Sequence, residues 1–176
     1  MNLSKFIHTY KVYILCIILV GVVMFSYKLF SRKHSNYLQF SYSKKESKVY
    51  SQELRNSVDD SKAYNDIISM PLHSRTNANI GVLYCNANII ETGKPNVVDV
   101  IQTVTYIFNG TDPTFPKGSI TLRIYFENDK SEIFPPDNTY VAHIISGSDA
   151  YVNATGTIKI AVKGDQRNAM IHFTHI

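Results

Sequence analysis

The side chains best suited to metal or acid–base chemistry in residues 76–176 are three histidines and one cysteine. His143, His172 and His175 lie in segments with the alternating pattern of β-strands, and residues three apart on a strand point to opposite faces. We therefore predict that His172 and His175 are edge or surface histidines and do not share a metal site. Cys85 lies in another such segment, which is typical of a small buried hydrophobic residue. We predict no metal site and no cofactor.

Four charged residues of the same region could serve a polar site. Arg123 and Glu127 share one face of a predicted strand with Tyr125, where they would line either a cavity mouth or a solvated outer face. Glu91 and Asp99 flank a predicted turn, as catalytic carboxylates or, more commonly, as surface charges. The sequence contains no phosphate-binding loop, dinucleotide fingerprint or zinc motif, and no catalytic residue is assigned from it.

The elements that would position these residues are six strands separated by turns. From residue 80 onward apolar residues recur with a period of two, and each break contains Gly, Pro, Asn or Asp, which tolerate turn dihedral angles. This regular spacing, without a helical pattern between the strands, predicts an all-β fold in which an antiparallel meander closes into a small β-barrel. The predicted strands are residues 80–91, 97–108, 119–127, 139–145, 155–162 and 169–175.

Alternation within two strands predicts which face is buried. Thr121, Arg123 and Tyr125 alternate with apolar residues, and Lys159 and Lys163 do the same in a later strand, so each strand has one polar and one apolar face. The apolar faces would line or fill the barrel. The candidates for lining a ligand cavity are Ile120, Leu122, Ile124, Phe126, Ile158 and Ile160.

The turn in residues 146–157 resembles a motif of a known family. Its sequence, Ser-Gly-Ser-Asp-Ala-Tyr-Val-Asn-Ala-Thr-Gly-Thr, is similar to the GGTG-x-F-x-x-A-x-G turn of the allene oxide cyclase-like and dirigent-like β-barrels. Gly147, Tyr151, Ala154 and Gly156 fall at the matching spacing. Physically, Gly147 would allow a positive φ in a tight turn, Tyr151 would plug one end of the barrel, and Gly156 would allow a bulge or a close backbone approach.

The resemblance covers roughly residues 78–176 and implies an eight-stranded barrel with an apolar cavity. Residues 37–42 and 48–54 are candidates for the two strands that the count of six lacks. The sequence departs from the motif at Ser146 and Asp149, which replace glycines. The acidic catalytic residue of the cyclases has no counterpart, so cyclase chemistry is not implied.

The N-terminal segment predicts a membrane anchor within residues 1–30. Residues 12–27 carry no charge and would span about 24 Å as a helix, against about 30 Å for a bilayer core. Residues 29 and 30 extend the apolar run, while Lys11 and Lys28 flank it. A buried core helix and a cleaved signal peptide are the alternatives, although no A-x-A-like cleavage site follows. The predicted location is a single-pass membrane protein contacting the bilayer through residues 12–30.

Charge indicates neither an orientation nor a nucleic-acid partner. The chain has a formal charge of +4 and a pI near 9.0, but much of the excess flanks the apolar segment and none remains after residue 48. Lysines stand on both sides of that segment, so the positive-inside rule gives nearly a tie. An extracytoplasmic C-terminal domain is favoured because a lone helix near the N-terminus often serves as an export signal. Asn109 and Asn153 would then be glycosylation acceptors in a eukaryotic host.

Between the anchor and the predicted barrel of residues 76–176 lies a polar stretch, residues 31–75. It predicts a linker with one or two extra strands, and a short helix over residues 53–68 is the alternative. The leading interpretation is a non-enzymatic binding or interaction module for an apolar small molecule or a protein partner, with a homo-oligomer left open. An isomerase or cyclase acting on a lipid-like substrate and a purely structural envelope protein are the rivals.

Overall fold

The computed structural model describes residues 10, 11, 13, 18–22, 37–55, 62–129, 132 and 134–176. Nine strands make up nearly all of the regular structure from residue 37 onward, with one 3₁₀ turn, Lys44–Glu46, between the first two strands. The strands are β1 Tyr37–Ser43, β2 Lys48–Arg55, β3 Lys62–His73, β4 Asn79–Glu91, β5 Val97–Phe108, β6 Gly118–Asp129, β7 Thr139–Asp149, β8 Thr155–Lys163 and β9 Gln166–His175.

The strands form a closed antiparallel barrel of eight strands plus one extra strand. β3 to β9 follow one another as a meander, and β1 inserts between the last strand, β9, and the first strand of the meander, β3. β1 pairs with β9 along its whole length, but with β3 only at Ser41↔His73. β2 lies outside the ring and pairs with β3 alone. The predicted all-β barrel is therefore confirmed.

The six predicted strands correspond to β4–β9, and β5 has the predicted bounds. The stretch predicted to be mostly linker contributes three strands, of which β1 and β3 belong to the barrel. Residues 62–68 form part of β3 rather than a helix. The physical reason is pairing: β3 has a strand on each side, and its inward residues Ile68, Met70 and Leu72 are buried.

Side chains that alternate along each strand fill the barrel. On β6 the residues Ile120, Leu122 and Ile124 are buried, whereas Arg123 and Tyr125 are exposed. Aromatic rings close the end at which β1 begins; Phe40, Phe108, Phe115, Tyr151 and Phe173 contact one another there at centroid distances of 5.4 to 6.2 Å.

At the opposite end, the cap end, two neighbouring strands separate. β6 and β7 pair only where Gly118–Leu122 face Ile144–Asp149, so the second half of β6 lacks β7 as a partner. The connection between the strands occupies this gap. The Asn128 side chain donates hydrogen bonds to the main-chain carbonyls of Glu132 and Phe134, at 2.8 and 2.6 Å, which holds the connection against β6.

In the N-terminal segment the described residues 10, 11, 13 and 18–22 are helical. None of the described helices is both long enough and apolar enough to cross a membrane. Most of the predicted anchor, residues 12–30, lies outside the described residues.

Candidate functional site

A small cavity on the barrel axis, the central chamber, is the internal candidate site. All eight barrel strands contribute to its lining, and Phe134 and Pro135 from the β6–β7 connection close it at the cap end. Its volume is about 20 Å³, whereas a water molecule needs roughly 10–15 Å³ on a comparable measure. The chamber as it stands therefore accommodates a single small species.

Several polar side chains reach the chamber or lie beside it. Tyr42, Cys85 and Gln102 line it together with apolar residues of the inner face. The Tyr42 hydroxyl lies 3.3 Å from the hydroxyl of Tyr106, which is also buried. Burial raises the pKa of Tyr42 and that of Cys85 to about 12 each. Both groups stay protonated at neutral pH, so neither supplies a base or a thiolate nucleophile.

Arg167 is the charged residue of the chamber lining. It is only 2% exposed, and one guanidinium nitrogen donates to the carbonyl of Gly164 at 2.8 Å. The ring of Phe134 lies between two cations, 5.5 Å from the Arg167 guanidinium and 5.0 Å from the Lys44 ammonium. Desolvation lowers the pKa of Arg167, although arginine remains protonated at any physiological pH.

Three segments interlock over the chamber and form the cap. Lys44 in the 3₁₀ turn pairs with Glu132 at 2.8 Å, and its main-chain N–H donates to the carbonyl of Asp165 at 2.8 Å. Lys45 pairs with Asp165 at 3.2 Å, and the N–H of Gly164 donates to Asp137 at 2.8 Å. These bonds join the 3₁₀ turn, the β6–β7 connection and the β8–β9 turn.

Asp66 is a second buried ionisable residue, on the inward face of β3. It is 3% exposed, and its Oδ1 has no hydrogen-bond partner among the described residues. Its nearness adds to the burial that raises the pKa of Cys85. Asp66 does not line the central chamber.

A larger cavity, the seam groove, lies on the surface where the barrel closes. It has a volume of about 510 Å³ and is lined by Tyr37, Gln39, Ser74, Arg75, Thr76, Asp112, Thr114, Phe115 and Met170. A neighbouring cavity of about 310 Å³ shares Gln39, Ser74 and Arg75. The groove follows β1 along residues 38–40, which pair with β9 on one edge and with no described strand on the other. Arg75 crosses the gap and donates a hydrogen bond to the Gln39 side chain.

The six residues proposed to line a ligand cavity all lie inside the barrel. All are buried, but only Ile124 and Ile160 line the central chamber. The other four, Ile120, Leu122, Phe126 and Ile158, pack in the core.

The histidines and charged residues singled out in the sequence are not brought together. His143 and His175 are exposed, and His172 stacks on Tyr37 with ring centroids 4.6 Å apart. Among the described residues, no group of three metal-ligating side chains forms.

On the outer face, Tyr125 donates to Asp99 at 2.7 Å and Lys94 pairs with Glu127 at 3.4 Å. Arg123 is exposed and Glu91 is half-buried. These polar contacts lie on the solvated side of the sheet.

In the glycine turn, Gly147 is not required for a positive φ. It is required because another part of the main chain passes close to it. Gly147 lies within β7, and a Cβ there would come within 2.1 Å of the carbonyl oxygen of Tyr151. The left-handed positions of the turn are Asp149 and Asn153, with φ of 52° and 63°. Gly156 has φ of 151°, and a Cβ there would come within 2.1 Å of the carbonyl oxygen of His172.

Tyr151 and Ala154 of the same turn are buried. Tyr151 stacks on Phe173 in the aromatic end of the barrel. Both proposed glycosylation acceptors, Asn109 and Asn153, are exposed.

Sequence reasoning missed the polar lining of the chamber. Gln102 stands in phase with Val100 and Val104 on β5, and Arg167 stands in phase with Ala169 and Ile171 on β9. The period-two phase could have identified both as inward residues. Arg167 was overlooked because the last strand was predicted to begin at residue 169.

No known protein family matches this chain, and no curated protein matches it. Among solved structures, a pyocyanin demethylase matches with a TM-score of 0.48 and 14% sequence identity, over 78% of this chain and 99% of that one.

Proposed function

We propose that the protein is a membrane-tethered barrel that docks an extended segment of a partner protein along the seam groove. The observation that carries this proposal is the short pairing at which the barrel closes, since β1 and β3 share the single pair Ser41↔His73. Small-molecule sites typically measure about 300–1,000 Å³. The seam groove, at about 510 Å³, has that size, and the central chamber, at about 20 Å³, does not.

An unpaired strand edge suits an extended polypeptide. Residues 38–40 offer a main-chain edge of about 10 Å, and such edges bind peptides by strand addition, in which main-chain hydrogen bonds provide affinity. Specificity would come from the side chains along the groove. Met170, which is 39% exposed, supplies an apolar contact, while Arg75 and Asp112 offer one charge of each sign.

The tether is part of the proposal. The uncharged run of residues 12–27, extended to residue 30 and flanked by Lys11 and Lys28, supports a bilayer contact through residues 12–30. Membership of the allene oxide cyclase-like family stays a prediction. The packed interior does not favour an isomerase or cyclase, since the titratable groups that line its chamber are not bases.

Peptide selection tests the docking site. Peptides that bind the full-length protein in nanodiscs would be selected from a library of extended random peptides. Amide hydrogen exchange of the protein would then be measured with and without the tightest-binding peptide. We expect protection of the amides of residues 38–40 and 74–76. The variant Arg75→Glu should change affinity for that peptide at least tenfold, a difference of about 1.4 kcal/mol.

The matched control is Arg123→Glu, because Arg123 is an exposed arginine outside the groove. It should change the affinity less than twofold. Protection on another face, or equal effects of the two substitutions, would overturn the proposal.

A further inference from the structure

We propose that the central chamber binds one compact monovalent anion, of about the size of chloride, beside Arg167. This inference is independent of the seam groove. It concerns a different cavity, and its ligand is an ion rather than a polypeptide.

The first argument is a buried cation that has no described carboxylate in direct contact with it. The guanidinium of Arg167 contacts the carbonyl of Gly164 and the ring of Phe134, and neither carries a net charge. Among the described residues no carboxylate lies within ion-pair distance of Arg167. Burial of an unpaired charge destabilises the fold, so an anion beside Arg167 would stabilise it.

The acidic residues nearest to Arg167 already have partners in the cap. Glu132 pairs with Lys44, Asp165 pairs with Lys45, and Asp137 accepts the N–H of Gly164. Each raises the pKa of Arg167 at longer range, but none satisfies its remaining N–H groups directly. Asp66, the other buried carboxylate, lies outside the chamber lining.

The second argument is the chemistry of the lining. Side chains that carry hydrogen-bond donors line the chamber: the guanidinium of Arg167 and the protonated Tyr42 and Cys85. The remaining walls are apolar, with Ile68, Met70, Leu83, Val104, Ile124, Phe134, Pro135, Tyr140 and Ile160. A site of this kind favours anions that lose their hydration easily, so bromide should bind more tightly than chloride and fluoride more weakly.

The volume of the chamber limits the ligand to one small ion. About 20 Å³ exceeds the space that one water molecule requires, and a chloride ion is only a little larger than water. Organic carboxylates with an attached carbon chain do not fit unless Phe134 is displaced.

Anomalous scattering tests the proposal directly. Crystals of the full-length protein grown in sodium bromide should show a bromide peak in the chamber, within hydrogen-bond distance of the Arg167 guanidinium. The absence of any such peak, with a water refined in its place, would overturn the inference.

Thermal melting at constant ionic strength supplies a second readout. Replacing gluconate by bromide should raise the melting temperature of the full-length protein by about 5 °C at saturation. Arg167→Gln should abolish this dependence, while the control Arg123→Gln, at an exposed arginine on the outer face of β6, should keep it. The same bromide dependence of the melting temperature in both variants would also contradict the proposal. If Arg167→Gln does not fold, the bromide peak in the unsubstituted protein decides.

Discussion

At the scale of single residues, the barrel interior is mainly a packed core and not an open ligand cavity. Leu122, offered by the sequence as a cavity-lining residue, is completely buried and does not line the central chamber. Its side chain therefore contributes stability rather than ligand contact.

Leu122→Ala should destabilise the protein by about 2–5 kcal/mol, because it removes buried methyl groups and leaves a void. Denaturant unfolding measures the change. Val141→Ala is the control, since Val141 is 66% exposed on β7, and it should lie within about 0.5 kcal/mol of the parent. A loss below about 1 kcal/mol for Leu122→Ala would show that the residue lines an open space instead.

Tyr151→Phe should leave stability unchanged or raise it by up to about 1 kcal/mol. The Tyr151 hydroxyl is buried without a described hydrogen-bond partner, and removing an unsatisfied polar group recovers its desolvation cost. The comparison is Tyr106→Phe, which removes the partner of the Tyr42 hydroxyl and should lose about 1 kcal/mol. If unfolding curves rank the two variants in the opposite order, the Tyr151 hydroxyl has a partner.

At the scale of elements, the glycine turn joins β7 and β8 by a close approach of main chains. Gly147→Val and Gly156→Val should each cost on the order of 1–3 kcal/mol, because every side chain would collide with a carbonyl oxygen. Gly93→Asn is the control: Gly93 has φ of 75° and open space around it, and asparagine tolerates that conformation. Unchanged melting temperatures for both valine variants would show that the motif is accidental.

Strand prediction succeeded where one face of a strand is apolar and failed where polar residues interrupt the pattern. β5 was predicted to the residue because its inward positions are valine, tyrosine and phenylalanine around Gln102. β3 was missed because Asp66 occupies an inward position and Pro71 lies within the strand. The central chamber could not be predicted, since its size depends on how Phe134 and Tyr140 fill the space between separating strands.

At the scale of the whole molecule, buried acids in the core link stability to alkaline pH. Burial raises the pKa of Cys85 from 9.0 and that of Tyr42 from 10.0 to about 12. Both groups are neutral in the folded state and ionise more easily in the unfolded chain, so their contribution is complete below pH 9 and declines up to about pH 12. Cys85→Ala and Tyr42→Phe should each flatten this decline in the free energy of unfolding measured against pH. An undiminished slope in both variants would contradict the assignment.

The proposed tether predicts how the molecule fractionates in cells. Full-length protein should remain with membranes through high-salt and carbonate extraction, because the uncharged run of residues 12–27 would reside in lipid. Deletion of residues 1–34 should release a soluble protein. Processing near residue 30 together with a soluble mature chain would show a cleaved leader instead.

The position of β1 between β3 and β9 has a consequence for biosynthesis. The first strand made is paired along its length only with the last, because Tyr37 faces His172 and Ser43 faces Gln166. At about 5–20 residues per second, β1 emerges from the ribosome seconds before its principal partner exists. Pairing over so long a separation in sequence is slow. A nascent chain that stops before β9 leaves the edges of β1 and β8 open, and such edges template aggregation. Complete translation is thus a condition for solubility of the barrel.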